Sequence, residues 1–498
     1  MNSTVLQPKL PIAETFDARY LAQWGILPLE VGQERLRVAV SGEPAAEVLA
    51  DLEVSFGLPL ELVSVDREIL EDSIRRTFAA SESVVELVKD LDQTVIGELD
   101  RGDVALADAR DLANQPPVIR FVNLLIRESH DAHASDIHLE AARDGLRVRF
   151  RVDGVLSELP SPPKGLQQAV VSRVKLLAEL DIAERRAPQD GRIRVRLEAR
   201  ELDLRVSTVP TLYGESIVLR LLDRGGRPVS LDELGMATDT LDGFRRLCER
   251  PHGIVLATGP TGSGKTTTLY AALGLRHRTA EKIITVEDPV EYHVEGVTQV
   301  PVHAKAGMTF AGALRSILRQ DPDTLMVGEM RDGETAAMAV QAALTGHLVL
   351  STLHTNDAAG ALTRLADLKI EPYLIAATLE GVLAQRLVRK ICSECRERYK
   401  PDSEAVALLA RHPVGHLTLE RGRGCAACRQ TGYRGRTGIF ELLAVTDEIK
   451  RQLLQSADAG ALRDLSEAQG MVTLRRDGWR KVQAGITTVE EVLRVTDQ

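Results

Sequence analysis

Aromatic side chains are scarce in this chain of 498 residues: two Trp, seven Tyr and eight Phe, 3% in all. Ring platforms on which single-stranded bases stack need such residues, so the composition argues against that class of ligand. Excess positive charge is also missing, since 62 Lys and Arg face 72 Asp and Glu for a formal charge of −10, which argues against a general polyanion binder. No apolar run approaches the roughly 18–20 residues of a membrane span. Met1 to Lys9 shows no basic segment followed by an apolar core, so no secretory signal is expected. These absences predict a soluble, cytoplasmic protein with no direct membrane span, for which any membrane role must come through a partner. Cysteine is limited to five residues, and disulfides are not expected in such a compartment.

What the chain does have is a complete phosphate-binding loop, Gly259-Pro260-Thr261-Gly262-Ser263-Gly264-Lys265-Thr266. A short apolar run, Gly253 to Thr258, precedes it as a buried parallel strand should, and Thr267 to Leu275 reads as a helix. Strand, glycine loop and helix together aim backbone N–H groups and a positive helix end at an oligophosphate. In this pattern Lys265 reaches the outer phosphates and the Thr266 hydroxyl sits on Mg²⁺. The pattern predicts a nucleoside triphosphate site.

Four cysteines form two pairs, Cys392-x-x-Cys395 and Cys425-x-x-Cys428, separated by 29 residues. Two such knuckles supply four soft thiolates in tetrahedral reach of one ion, which fits structural zinc. Cys248, alone in an apolar helix, reads as a small core residue.

At this length the chain should divide into about three domains. Residues 1–80 predict a small α/β module with no catalytic character, a docking domain by elimination: a hairpin of Ile26–Val31 and Arg35–Val40 around Gly32-Gln33, a helix over 45–56, a strand over 60–65 and a helix over 68–78. Residues 81–112 predict an acidic, partly helical linker; from 81 to 115 nine acidic side chains face three basic ones. From 113 to 228 the electrostatics reverse. Within 143–228 there are 17 Lys and Arg against 12 Asp and Glu. Leu146-Arg147-Val148-Arg149-Phe150-Arg151-Val152, Ile193–Leu197 and Leu202–Val206 alternate apolar with charged residues, so each strand predicts one buried face and one arginine face. Helices over 118–132 and 166–180 are expected to cover the apolar face. Residues 229–498 predict a parallel, doubly wound core, with strands at 253–258, 283–287, 324–328 and 348–352 between helices at 264–275, 310–320 and 333–345. After 435 the pattern reads as helical, and residues 440–498 are assigned to a helical C-terminal part.

Chemistry in such sheets sits at the C-terminal strand ends. There Ile283–Val286 delivers Glu287 and Asp288, Leu325–Gly328 delivers Glu329, and His347 and His354 stand on either side of the run Leu348–Leu353. One such residue alone would be a cap or a satisfied histidine. Beside a phosphate loop, three clusters together point to a catalytic constellation.

In these residues the chain resembles the secretion traffic ATPases, and within them the type II secretion branch. The resemblance covers residues 113–440 closely. It rests on the phosphate loop, Val286-Glu287-Asp288-Pro289-Val290-Glu291, Asp321-Pro322-Asp323 with Gly328-Glu329-Met330-Arg331-Asp332, Thr345-Gly346-His347 through Leu353-His354-Thr355-Asn356, and the two cysteine pairs. It implies a RecA-like α/β ATPase core preceded by two smaller α/β domains, with a tetra-cysteine zinc insertion over 390–435. It further implies that Lys265 and Thr266 hold ATP and Mg²⁺, that Glu287 lies in an acidic box, and that Glu329 activates the attacking water. His347 and His354 fall in a histidine box. Arg205 and Arg220 would reach the γ-phosphate from the second domain, with Arg315 and Arg319 as secondary candidates. The implied activity is ATP hydrolysis that drives pseudopilus assembly and export of folded proteins across the outer membrane. The implied assembly is a homo-hexamer, docked on inner-membrane secretion components through the N-terminal domain. A type IV pilus assembly ATPase is the alternative within the family; the 112 residues before the second domain are shorter than its usual extension. Retraction motors lack the cysteine pairs. From other classes, a nucleic-acid motor (a ring helicase or conjugation ATPase) and a nucleotide-binding scaffold without turnover are the rivals. Low aromatic content and acidity oppose the first, and the presence of both Glu287 and Glu329 opposes the second.

Overall fold

The computed structural model describes residues 18–74 except 32–34, 43, 68 and 72; residues 84, 87 and 88; 113–223 except 198 and 199; 229–401 except 277, 278, 304 and 305; and 418–496. The linker expected at 81–112, apart from residues 84, 87 and 88, the turn at Gly32-Gln33 and the end of the helix over 68–78 therefore lie outside the described residues. The chain falls into two compact units. One takes residues 1–150, 156–193 and 206–219, and the other takes 151–155, 194–205 and 220–498.

In the first unit, α1 (Ala18–Trp24) precedes a three-stranded sheet of β1 (Ile26–Val31), β2 (Leu36–Val40) and β3 (Leu60–Ser64), with α2 (Ala46–Phe56) between the last two. β1 and β2 pair antiparallel, whereas β2 and β3 run parallel, as the intervening helix requires. Leu21, Leu27, Leu36, Val38 and Leu52 form their own small core. Next comes α3 (Pro116–Asp131), opened by Pro at its first turn and burying Val118, Phe121, Val122 and Leu125. A six-stranded sheet follows, built from β4 (Ala134–Ala142), β5 (Gly145–Val152), β6 (Val155–Leu159), β7 (Gln189–Leu197), β8 (Arg200–Thr211) and β9 (Gly214–Asp223) in the order β6-β5-β4-β9-β8-β7, with α4 (Gln167–Leu177) between β6 and β7; its residues 151–155, 194–205 and 220–223 belong to the second unit. The expected alternation is present. Leu146, Val148, Phe150, Ile193, Leu202, Leu204 and Val206 are buried, while Arg147, Arg194 and Arg196 are exposed. One charged pair goes inside: Lys175 Nζ meets Glu215 Oε1 at 2.7 Å and the Glu184 carbonyl at 2.7 Å, so neither charge is buried alone.

The second unit is a seven-stranded sheet in the order β12-β11-β13-β14-β10-β15-β18. Its strands are β10 (Gly253–Thr258), β11 (Ile283–Glu287), β12 (Thr298–Pro301), β13 (Thr324–Val327), β14 (Leu348–Leu353), β15 (Leu379–Ile391) and β18 (Tyr433–Ala444). All neighbours run parallel except the last pair, β15 with β18. Period-two alternation splits the strands between two cores: Ile254, Leu256, Val286, Leu325 and Val349 pack on one face, and Val255, Ala257, Met326, Leu348 and Leu350 on the other. Helices on both sides explain why these strands are apolar throughout. The principal ones are α5 (Thr238–Cys248), α6 (Lys265–Leu273), α7 (Phe310–Ile317), α8 (Gly333–Leu344), α9 (Ala359–Asp367) and α10 (Pro372–Thr378).

The helix expected after 435 starts later than the pattern implies. Residues 433–444 form a strand, and the helices begin only at α11 (Asp447–Gln455), followed by α12 (Ala459–Ala468), α13 (Leu474–Gln483) and α14 (Val489–Thr496). Antiparallel pairing with the long strand β15 decides that segment, a tertiary contact invisible to local pattern. The short ribbon of β16 (Arg396–Tyr399) and β17 (Leu419–Gly422) lies within the predicted cysteine subdomain. Cys248 is fully buried in α5, as a core residue should be.

Candidate active site

β10 lies between β14 and β15, and its fully buried run ends at Thr258, where the chain turns into the phosphate loop. Gly262 and Gly264 adopt the left-handed backbone (φ +79° and +89°) that side chains resist. Gly259 is needed for space: a Cβ there would stand 2.5 Å from the Gln385 carbonyl oxygen. Lys265 opens α6 and folds back, donating to the carbonyls of Gly259 (2.7 Å) and Pro260 (3.0 Å). Burial pulls its ammonium down to about 8; Glu329 opposes the shift and Arg386 adds to it. The Ser263 hydroxyl is buried without a partner, and Thr261 and Gly262 are exposed while Thr266 is half-buried. A cradle of positive-φ glycines with a desolvated lysine and an unsatisfied hydroxyl fits an oligophosphate.

The two carboxylates stand in different surroundings. Glu287, at the end of β11, is 2% exposed and already accepts from Tyr270, from Thr285 Oγ1 (2.5 Å) and from Gln299 Nε2 (3.2 Å). Glu329, just past β13, is 14% exposed at its side chain; it pairs with Arg331 Nη2 at 2.5 Å and His354 Nε2 at 3.3 Å. Burial lowers the His354 pKa and nearby Lys265 adds to this, against the Glu329 carboxylate. The structure therefore brings Lys265, Glu329 and His354 into one electrostatic group at the C-terminal end of the sheet.

His347 is at the opposite end. It precedes β14, its carbonyl accepts from the Gly253 N–H at 3.1 Å, and its Nδ1 contacts the Ala342 carbonyl at 2.8 Å. The six residues of β14 lie between it and His354, a span of about 23 Å at the usual rise. Within one chain it does not join the phosphate loop.

Arg205 is half-buried, whereas Arg220 and Arg196 are exposed. Burial pushes the Glu291 carboxyl up, and Arg220 and then Arg205 draw it back down. This places a carboxylate of the Val286–Glu291 motif in the field of both arginines, a role no sequence spacing identified. Arg315 pairs with Glu334 on the surface, and Arg319 donates to the Arg315 carbonyl at 2.7 Å. Sequence reading also missed Arg386, a buried arginine beside the loop, because it sits in an apolar strand far along the chain.

The four paired cysteines converge, with all sulfurs within 4.8 Å of one another. Cys392 faces Cys425 at 3.9 Å and Cys395 faces Cys428 at 3.8 Å. Burial pushes the Cys428 thiol up, yet N–H donors from Cys425 (3.1 Å) and Gly432 (3.2 Å) and the neighbouring thiols bring it down to about 6. Four sulfurs at this separation, with N–H groups stabilising a thiolate, fit a tetrahedral soft-metal site.

Residues 111–494 match the family model described as type II/IV secretion system protein. The chain belongs to that family. Among curated relatives, type II secretion system protein E of Xanthomonas campestris is 48% identical over 98% of this chain and 86% of its own length. The protein of the same name from Dickeya dadantii is 45% identical over 100% of this chain and 99% of its own. Among solved structures, the pilus retraction motor PilT with bound ADP is 26% identical, covering 75% of this chain and 96% of its own at a TM-score of 0.51. The Legionella pneumophila ATPase DotB, at 20% identity, TM-score 0.55, and 76% and 95% coverage, shows the fold alone. This is an α/β ATPase fold like that of the pilus retraction motor, with a tetra-cysteine cluster present. Among the described residues no helix is long and apolar enough to cross a membrane.

Proposed function

We propose that the protein is the Mg²⁺-dependent ATPase of a type II secretion system, working as a hexamer to assemble pseudopilin subunits at the inner membrane and so export folded proteins across the outer membrane. It is a secretion ATPase by family. One observation carries the catalytic reading: Glu329, the less enclosed of the two carboxylates, lies in the field of Lys265 at the mouth of the phosphate loop, oriented by Arg331 and His354.

In this reading Lys265 leaves its two carbonyl partners to hold the outer phosphates, and the backbone N–H groups of residues 261–266 cradle them. Thr266 and Glu329 would hold Mg²⁺, which supplies charge neutralisation at the phosphoryl oxygens. Glu329 accepts a hydrogen bond from the attacking water and aims it, while His354 and Arg331 keep its carboxylate in one orientation. Glu287, saturated by Tyr270, Thr285 and Gln299, ties α6 to β11 and holds the acidic segment in place. Arg205 and Arg220, near Glu291, are the arginines that would stabilise charge developing on the γ-phosphoryl group. Cys392, Cys395, Cys425 and Cys428 would hold one structural zinc ion. The N-terminal residues 1–80 would dock the inner-membrane components.

Phosphate release from the purified full chain tests the proposal. Lys265→Ala should abolish turnover while circular dichroism and melting stay as in the wild type, because the change removes charge but little packing. Wild-type turnover in that variant would show that hydrolysis occurs elsewhere.

A further inference from the structure

Arg386 belongs to no motif discussed above, yet it is 5% exposed and adjoins the phosphate loop. β15 carries it two residues past Ala384, the partner of Thr258 at the last position of β10. Its Nη2 donates to both the carbonyl oxygen (3.0 Å) and the side-chain oxygen (3.2 Å) of Asn356. Its Nη1 donates to the Gln385 carbonyl at 3.3 Å and stands 3.2 Å from where a Cβ of Gly259 would be. Its Nε is buried with no partner. Burial lowers its pKa, and Glu441 and Asp357 oppose this electrostatically from beyond hydrogen-bonding reach.

Because β14 and β15 flank β10, the bonds from Arg386 to Asn356 span the end of β10 where the phosphate loop begins. The segment after β14 is thus pinned at three successive residues. Thr355 shares a 2.7 Å hydroxyl contact with Thr258, Asn356 is gripped by Arg386, and Asp357 pairs with Arg463 of α12. His354, which contacts Glu329, begins that segment. A buried guanidinium without a carboxylate partner is costly, and an apolar side chain of similar volume usually serves packing as well or better. Packing therefore does not account for an arginine here.

We propose that Arg386 is a positioning residue for hydrolysis: its Nη2, bonded to both oxygens of Asn356, holds residues 354–357 across the base of the phosphate loop, so that His354 keeps Glu329 aimed at the nucleotide. The proposal rests on Glu329 as the hydrolytic carboxylate. It is tested in the full chain with Arg386→Met and Arg386→Lys, measuring kcat, the Kd of a non-hydrolysable ATP analogue, and Tm. Arg386→Met should keep Tm at or above the wild-type value and the analogue Kd within about threefold, while kcat falls about a hundredfold from misplacement of the site. Arg386→Lys should recover kcat only in part, since one ammonium does not hold Asn356 and the Gln385 carbonyl together as the two guanidinium nitrogens do. Adding Asn356→Ala to Arg386→Met should cost nothing further, because both changes break the same contact. A folded Arg386→Met with kcat within about threefold of wild type would overturn the proposal. So would parallel loss of analogue binding and Tm, which would mean that Arg386 only builds the loop. Should Arg386→Met not fold, full kcat in Arg386→Lys overturns the proposal, and depressed kcat with retained Kd supports it. Normal turnover in Glu329→Gln would sink the reading of Glu329 instead, whatever Arg386 does.

Discussion

At the scale of single residues, environment separates groups that sequence treats alike. Glu287 and Glu329 both end apolar strands, but three donors enclose the first, whereas the second stands nearer solvent beside Lys265. Glu287→Gln puts an amide N–H₂ against hydroxyl and amide donors, and should cost on the order of 1–3 kcal/mol with a lower Tm. Glu329→Gln should leave Tm and nucleotide affinity near wild type and abolish phosphate release. Matching Tm losses in the two variants would remove the distinction. Lys265 adds a pH test. Burial holds the free side chain at about 8, and bound phosphates should raise it again. Below about pH 8 the free lysine is already charged, so binding proceeds at full strength; above it, binding must first protonate the amine and affinity falls as pH rises. Calorimetry in buffers of different ionisation heat should find close to one proton taken up per analogue bound near pH 9, and almost none near pH 7. Equal uptake at both would show an unshifted lysine.

Elements show the same division between local pattern and remote contact. β10, β11, β13 and β14 lie where apolar runs predict them, because a strand covered on both faces leaves a run that is legible by itself. β18 was hidden since its strand character comes from pairing with β15. The cysteine knuckles lie on two separate turns, Ser393–Cys395 and Ala426–Cys428, brought together by β15, β18 and the β16–β17 ribbon. Metal ligation should therefore be a local fold element. Elemental analysis should find one zinc per chain, and chelation should speed amide exchange across residues 390–435 more than in the phosphate loop. No zinc, with all five thiols reactive in the native protein, would refute this, because Cys248 is buried and pushed up to about 12.

For the whole molecule, the arginines decide whether the six-stranded sheet takes part in chemistry. The Arg205 side chain lies opposite the buried Leu204 and Val206, so truncation opens no core. Arg205→Ala and Arg220→Ala should each depress turnover on the order of 10³-fold, as loss of a transition-state arginine does, with little change in Tm. Arg196→Ala, on the same kind of polar strand face, should do much less. Small and equal effects from all three would reduce the arginine-bearing sheet to a charged surface.

The sequence by itself determined the phosphate loop, the strand-end carboxylates, the cysteine pairs and the alternating arginine face. Each is set by residues close together in the chain, where spacing and periodicity act directly. Tertiary structure alone decided that Glu287 is enclosed while Glu329 is not, that Glu291 lies in the field of Arg205 and Arg220, and that Arg386 grips Asn356 beside Gly259. Burial and electrostatic partnership depend on which strands become neighbours, and the order β14-β10-β15 joins segments far apart in the chain, 95 residues in the case of Thr258 and Leu353.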